Sequence, residues 1–308
     1  MQFKPNQVAF GRHESFALRF GWLTKGFQEF EHNKGIFSAD DAVVRLGVGK
    51  NMVNSIRHWL RAAQLIVIGP DKKETTPLGE FLFSEKAGKD PYLEDEATIW
   101  LLHWLLATNP EHATSWYWFF NLFHKPEFTS QEVANALVDF AKENIKAKFS
   151  VLSVKNDCAV LLRTYVQSKS NMKTPVEEAL DSPLSLLRLI TYSPATKSYQ
   201  SRLERRDSLP LGVLGFAIAD LFQKRSISEI PIEDLMYGGN GNIAPGILFR
   251  LTENALLAKV EQLINYLPGI FKLDETAGIH QLYRLQEVEP IRYLEKHYNA
   301  LQQHDKAA

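Results

Sequence analysis

The stretch from Lys50 to Ala63 admits little besides an amphipathic helix. Val53, Ile56, Leu60 and Ala63 lie three or four apart and form one apolar stripe, the spacing that stacks side chains on one helical face. Lys50, Asn54, Arg57 and Arg61 keep the same spacing on a different face, with Asn51 and His58 beside them. Between Asp41 and Asp71 there is no acid, while Arg45, Lys50, Arg57 and Arg61 are basic. The whole chain balances 35 Lys and Arg against 36 Asp and Glu, for a net charge of -1. It has no bulk attraction to a polyanion, so this basic run is a local sorting of charge.

The flanks of this helix extend the pattern. Ser38 reads as an N-cap, and Ala39-Asp40-Asp41 puts acids in a first turn, where the helix dipole favours them. That first helix turns Ala42, Val43 and Leu46 inward and stops at Gly47, with Leu46-Gly47-Val48-Gly49 as a tight connection. After the second helix, Leu65 to Ile68 reads as a strand and Gly69 to Lys73 as a turn with Lys72 and Lys73 at its tip. Thr75-Thr76-Pro77 returns, and Leu78 to Phe83 begins another helix. Helix, glycine turn, helix, strand, basic turn, strand is the order of a winged helix-turn-helix. Arg reaches guanine bidentately, Asn pairs with adenine, and Lys or Arg holds phosphate. The expected contacts to double-stranded DNA are therefore Lys50, Asn51, Asn54, Arg57, His58, Arg61, Lys72 and Lys73. The competing reading is a solvated face on a structural helix-turn-helix, and winged helices also serve as protein-binding modules.

Elsewhere the periodicity is helical almost throughout. The expected fold is mainly α, with an N-terminal winged helix-turn-helix, a helical region and a second winged-helix-like module at the C-terminus. Residues 1–90 are expected to hold an entry segment and the winged helix, 91–207 an aromatic-rich helical domain and a basic linker, and 208–308 a helical domain with a hairpin. The linker candidate is Ser193 to Ser208, polar and basic, with Pro194. In the last region Thr252 caps a helix to about Tyr266. Gly269 to Leu273 pairs with Ile279 to Leu285, and Pro290 opens a final helix. Gly238-Gly239-Asn240-Gly241-Asn242 lacks the lysine and hydroxyl of a phosphate-binding loop and reads as a turn. The most apolar stretches, Ile99 to Ala107 and Trp116 to Phe123, fall short of the ~18 residues of a membrane span. There is no apolar signal core at the N-terminus, and the single Cys158 cannot form an internal disulfide. A soluble cytoplasmic protein without membrane contact is expected.

No strong catalytic signature is present. His-Glu-x-x-His, Cys-x-x-Cys and Gly-x-Ser-x-Gly are all missing. Pro70-Asp71-Lys72-Lys73 is better explained by the wing than by a nuclease core, since no second acid stands at suitable spacing. Asp40-Asp41 and Glu94-Asp95-Glu96 read as helix starts, and His103, His112 and His124 as ordinary histidines, so no metal site is identified. The most unusual segment runs from Phe10 to Gly26. Arg12, Arg19 and Lys25 there suit phosphate, and His13 and Glu14 suit proton transfer. The weak catalytic candidates are thus His13, Glu14, Arg19 and Lys25. The alternative is a docking helix whose Phe16, Trp22 and Leu23 pack on the winged helix.

Gly11-Arg12-His13-Glu14-Ser15-Phe16, Arg19-Phe20-Gly21-Trp22-Leu23, Leu46-Gly47-Val48-Gly49-Lys50-Asn51-Met52-Val53 and Pro245-Gly246-Ile247-Leu248-Phe249 stand together in this chain. With them the chain resembles the SspB-like family of bacterial DNA phosphorothioation systems, long described only as a domain of unknown function. The resemblance spans nearly the whole chain. It implies a DNA-binding role in phosphorothioation and phage defence, beside a cysteine desulfurase, an ATPase and a reductase-like sulfur-transfer protein. It also implies an endonuclease that nicks one DNA strand to admit sulfur. A divalent metal ion is the expected cofactor if the protein nicks, and none otherwise. The alternatives are a non-catalytic DNA-binding adaptor or transcriptional regulator, and a scaffold that binds only proteins.

Overall fold

The computed structural model describes residues 3–167, 182–238, 243–276 and 278–307. The predicted turn at 239–242 lies outside them. The described residues are mainly helical with small antiparallel sheets, and they divide into two compact units, Gln2–Arg202 and Leu203–Ala308.

In the first unit, α1 (Trp22–His32) starts behind Gly21, whose φ of 76° no β-carbon would favour. A short 3-10 turn at Ile36–Ser38 leads to α2 (Ala42–Leu46) and α3 (Lys50–Ala62). Ser38 therefore lies inside the turn and does not cap the helix. Asp41 precedes α2 instead, and its side chain makes no capping bond. Ala42 and Leu46 are buried, but Val43 is 42% exposed, contrary to the inward position expected for it. A helix of five residues has too few turns to bury a third position. Gly47 ends α2 with φ of 61°.

The apolar stripe of α3 is buried as expected, together with Trp59. Each fully buried side chain of this size contributes about 1.5–3 kcal/mol. The backbone of α1 approaches this stripe closely at Gly26. A β-carbon there would stand 2.3 Å from Ile56 Cγ2 and 2.9 Å from Leu60 Cδ1. Gly26→Ala should therefore destabilise the fold by about 1–3 kcal/mol through overpacking, measured by urea denaturation. After α3, β1 (Ile66–Ile68) pairs antiparallel with β2 (Lys73–Thr75), Ile68 opposite Lys73. α4 (Pro77–Phe83) follows, capped by Thr76, whose hydroxyl oxygen accepts from Gly79 N–H.

The aromatic-rich stretch forms α5 (Glu96–Ala107), α6 (Thr114–Leu122), β3 (Glu127–Phe128), α7 (Ser130–Asn144) and α8 (Val151–Tyr165). Asp95 caps α5 by accepting from Ala97 N–H, so the 94–96 acids are a helix start. α5 is buried on nearly every side, the position an all-apolar helix must take. His103 lies within it, its Nδ1 2.8 Å from Tyr165 Oη, and is a packed histidine. β4 (Thr191–Ser193) and β5 (Ser198–Gln200) complete a sheet of order β3-β5-β4. The segment read as a linker is thus a hairpin in its first half, and the boundary between the units falls further along it, after Arg202.

The second unit runs α9 (Leu211–Arg225), β6 (Glu229–Pro231), α10 (Ile232–Tyr237), α11 (Pro245–Leu248), α12 (Glu253–Tyr266), β7 (Phe271–Thr276), β8 (Ile279–Arg284) and α13 (Ile291–Ala307). Thr252 caps α12 as expected, and the hairpin forms. The unforeseen element is β6, which makes a three-stranded sheet of order β6-β8-β7. Among the described residues no helix is long and apolar enough to cross a membrane.

Candidate functional site

The segment before α1 is a strap. Only from Trp22 onward is it the docking helix the sequence suggested. Pro5 O accepts from the N–H groups of Lys146 and Ala147, at 3.0 and 3.2 Å. Ala9 N–H donates to Thr114 Oγ1 at 2.9 Å. The strongest anchor is Asp157 on α8, which is 2% exposed. Its Oδ1 accepts from Gly11 N–H at 2.7 Å and from His13 Nε2 at 3.0 Å, and its Oδ2 accepts from Ser115 Oγ at 2.9 Å. His13 Nδ1 accepts from Ser15 N–H at 3.1 Å, which places the His13 proton on Nε2. Arg163 donates to Ser15 O at 2.8 Å.

These bonds hold the backbone in an uncommon shape. Gly11, Glu14 and Ser15 have φ of 71°, 49° and 64°. Left-handed backbone costs a non-glycine residue about 1–2 kcal/mol, and it persists where neighbours over-determine it. The consequence is a sorting of side chains. His13 enters the core beside Trp59 and Trp116, while Arg12 and Glu14 stay exposed on either side of it.

Arg12 and Glu14 line one wall of a polar basin of about 440 Å3, together with strap residues from Asn6 onward. α3 supplies Asn54, Arg57, His58 and Arg61, and the turn before α6 supplies Glu111 and His112. None of the three arginines forms an ion pair among the described residues. Arg61 Nη2 lies 3.4 Å from His112 Nε2, while its Nε is enclosed and has no partner. His58 Nε2 is enclosed and unpartnered too. Burial pushes the His58 pKa well below the usual histidine value, and charge repulsion from Arg61 and Arg12, and from His13 and His112 in their protonated forms, pushes the same way. Burial and Arg61 also lower His112, against an opposing pull from Glu111. Burial, Arg57 and Arg12 lower Arg61. Excess positive charge in a half-enclosed space favours an anion.

The eight residues expected to touch DNA thus fall into three groups. Lys50 and Asn51 are exposed at the start of α3. Asn54, Arg57, His58 and Arg61 are half-buried in the basin. Lys72 and Lys73 are exposed on the hairpin, where Lys72 pairs with Glu74 at 2.6 Å. Of the weak catalytic candidates, only Glu14 faces the basin. His13 is buried with both ring nitrogens engaged. Lys25 donates to Leu46 O at 2.9 Å, closing the end of α2. Arg19 lies over the rings of Phe16 and Trp22 and lines a separate groove with Phe20, Val43 and Met52. Sequence reasoning missed Asp157, although a carboxylate three residues after Val154 and four before Leu161 on a buried helix face was a usable signal. It read His112 as an ordinary histidine and did not single out Glu111, yet both line the basin. Cys158 is buried, and its thiol pKa is raised by burial and by Asp157.

A chain of this architecture and site falls in a known class. The profile of a family described as "Protein of unknown function (DUF4007)" matches residues 10–298, and the chain belongs to that family. It is similar to the SspB crystal structure, with 30% identity, a TM-score of 0.83, and 94% of this chain and 88% of that one covered. A magnesium ion-bound SspB crystal structure matches with 29% identity, the same TM-score and the same coverage. No curated protein matches the chain in sequence. Among the described residues no group of three or more His, Cys, Asp or Glu is arranged to hold a metal ion.

Proposed function

We propose that this protein is the DNA-binding component of a bacterial DNA phosphorothioation and phage-defence system, in which it nicks one strand to admit sulfur. The phosphorothioation role, the nicking and the partner enzymes rest on the SspB-like resemblance. DNA contact is carried by one observation: α3 and the strap bring three arginines without ion pairs to one basin, in a chain whose net charge is -1. We take α1 to α3 and the β1–β2 hairpin as a winged helix-turn-helix. Lys50 and Asn51 sit at the start of its second helix, where such helices meet base edges.

We take the second unit as a second winged-helix-like module, from its order of helix, strand, helices and two strands, with the third strand between the other two. The exposed face of α12 carries Glu253 and Glu261 and no exposed base. That face repels phosphate, so we assign DNA to the first unit.

Duplex DNA with blocked ends should bind the purified protein in a salt-sensitive way, because phosphate contacts release counterions. Replacing Lys50, Arg57 and Arg61 together with Ala should weaken binding about tenfold or more and flatten the salt dependence, as read by fluorescence anisotropy. Unchanged affinity would remove α3 from the interface. Nicking is tested separately, by incubating supercoiled plasmid with divalent metal and the partner proteins. Absence of open-circular product under every metal leaves a non-catalytic adaptor.

A further inference from the structure

We propose that the basin holds the terminal phosphate of a DNA strand, a phosphomonoester at a strand end, with Arg12, Arg57 and Arg61 as its cationic contacts. The proposal rests on the reading of this chain as a DNA-binding protein and goes further, since it separates strand ends from continuous duplex.

Shape is the first support. A helix that reads a groove must stand proud of its surroundings to enter a channel about 12 Å wide. The C-terminal half of α3 does not. Arg57, His58 and Arg61 sit half-buried between the strap on one side and the Glu111-His112 turn on the other. The half-open space of about 440 Å3 falls in the range of about 300–1,000 Å3 that suits small ligands. An uninterrupted duplex meets the arginines only across the rim of such a basin, with one charge per phosphate, whereas a chain end can enter it.

Charge is the second. Three arginines face two carboxylates, Glu14 and Glu111. A phosphomonoester brings about -1.5 to -2 charges and three strong acceptors, against -1 for a diester. Arg matches its oxygens bidentately. Arg61 Nε and His58 Nε2 are enclosed without protein partners, so the local hydrogen-bond network is incomplete as it stands.

The histidines add a proton linkage. His58 is faced by Arg12 and His13 from the strap, Arg61 from its own helix and His112 from the turn, and His112 by Arg61 and Glu111. An incoming dianion offsets those positive charges and raises both histidine pKa values from their depressed positions. Binding then takes up protons on the histidines, so affinity for a terminal phosphate increases as pH falls toward about 6, where the phosphomonoester itself begins to gain a proton and lose charge.

The test compares one short single-stranded oligonucleotide carrying a 5′-phosphate, a 3′-phosphate or hydroxyls at both ends, by fluorescence anisotropy at several pH values. One phosphorylated form should bind about tenfold more tightly than the hydroxyl form, a difference of about 1.4 kcal/mol. The preference should widen as pH falls toward about 6 and vanish in both Arg12→Gln and Arg57→Gln. Arg12 is exposed, so its substitution leaves the core intact. Equal affinity for all three oligonucleotides overturns the proposal, as does a preference that survives both substitutions. If blocked-end duplex still binds while end phosphates make no difference, only the basin assignment falls. If no DNA binds even at low salt, the DNA-binding reading falls and takes this one with it.

Discussion

Asp157→Ala should destabilise the first unit by about 3 kcal/mol or more. The buried carboxylate accepts from the Gly11 amide, the His13 imidazole and the Ser115 hydroxyl. Truncation leaves donors that are buried or half-buried without acceptors, and each such group costs about 1–3 kcal/mol. The loss also removes what holds Glu14 and Ser15 in left-handed backbone, so the strap should relax away from the helices. Asp157→Asn is the contrasting variant. Its oxygen still accepts from Gly11 and His13, and the Ser115 hydroxyl can turn to accept from the new amide. A cost of about 1 kcal/mol is expected there. Urea denaturation gives the two values, and limited proteolysis within residues 3–20 reports strap release. Equal, small losses in both variants would mean that the strap is held by its other bonds.

How much of this was legible in the sequence differs between elements for physical reasons. α3 was readable because its stripe repeats at helical spacing over thirteen residues, long enough for periodicity to dominate. α2 was not, because five residues carry too little pattern to fix either its start or the direction of Val43. The strands β4 and β5 lay in a segment that is polar by composition, and strands of three residues leave almost no alternation to read. The strap was hidden for another reason. Its form depends on bonds to Asp157, 144 positions from His13, and to Thr114, 105 positions from Ala9, which are invisible to any local window.

The candidate site divides in the same way. The basic residues of α3 were visible as a charge-free-of-acid run, but their enclosure was not. Spacing showed that Lys50, Asn54, Arg57 and Arg61 share a face. It could not show that the strap rises beside the second half of that face and leaves only the first half open. One stripe on the sequence is therefore two surfaces in the fold: an exposed end that suits base edges and a concave end that suits an anion. His13 illustrates the converse. Its neighbours Arg12 and Glu14 made a catalytic pair plausible, yet two left-handed residues swing it into the core, where it acts as an anchor.

Gly79→Ala should destabilise the protein by about 3 kcal/mol, the reverse of what local propensity predicts. Gly79 lies inside α4, where alanine in place of glycine ordinarily gains about 1 kcal/mol. A β-carbon at this position would stand 2.3 Å from Leu65 O and 2.5 Å from Phe27 Cε2. The carbonyl cannot retreat freely, since it accepts from Thr76 N–H at 3.0 Å and from Thr76 Oγ1 at 3.0 Å. Thr76 is also the cap of α4. Relief therefore requires α4 to move off the root of the β1–β2 hairpin, and Lys72 and Lys73 move with that hairpin. Thermal melts should show the stability loss. A parallel anisotropy titration should show weaker duplex binding at a temperature where the variant is still folded, if the hairpin lysines hold phosphate. A gain of about 1 kcal/mol would instead mean that α4 stands clear of Leu65 and that helix propensity decides the outcome.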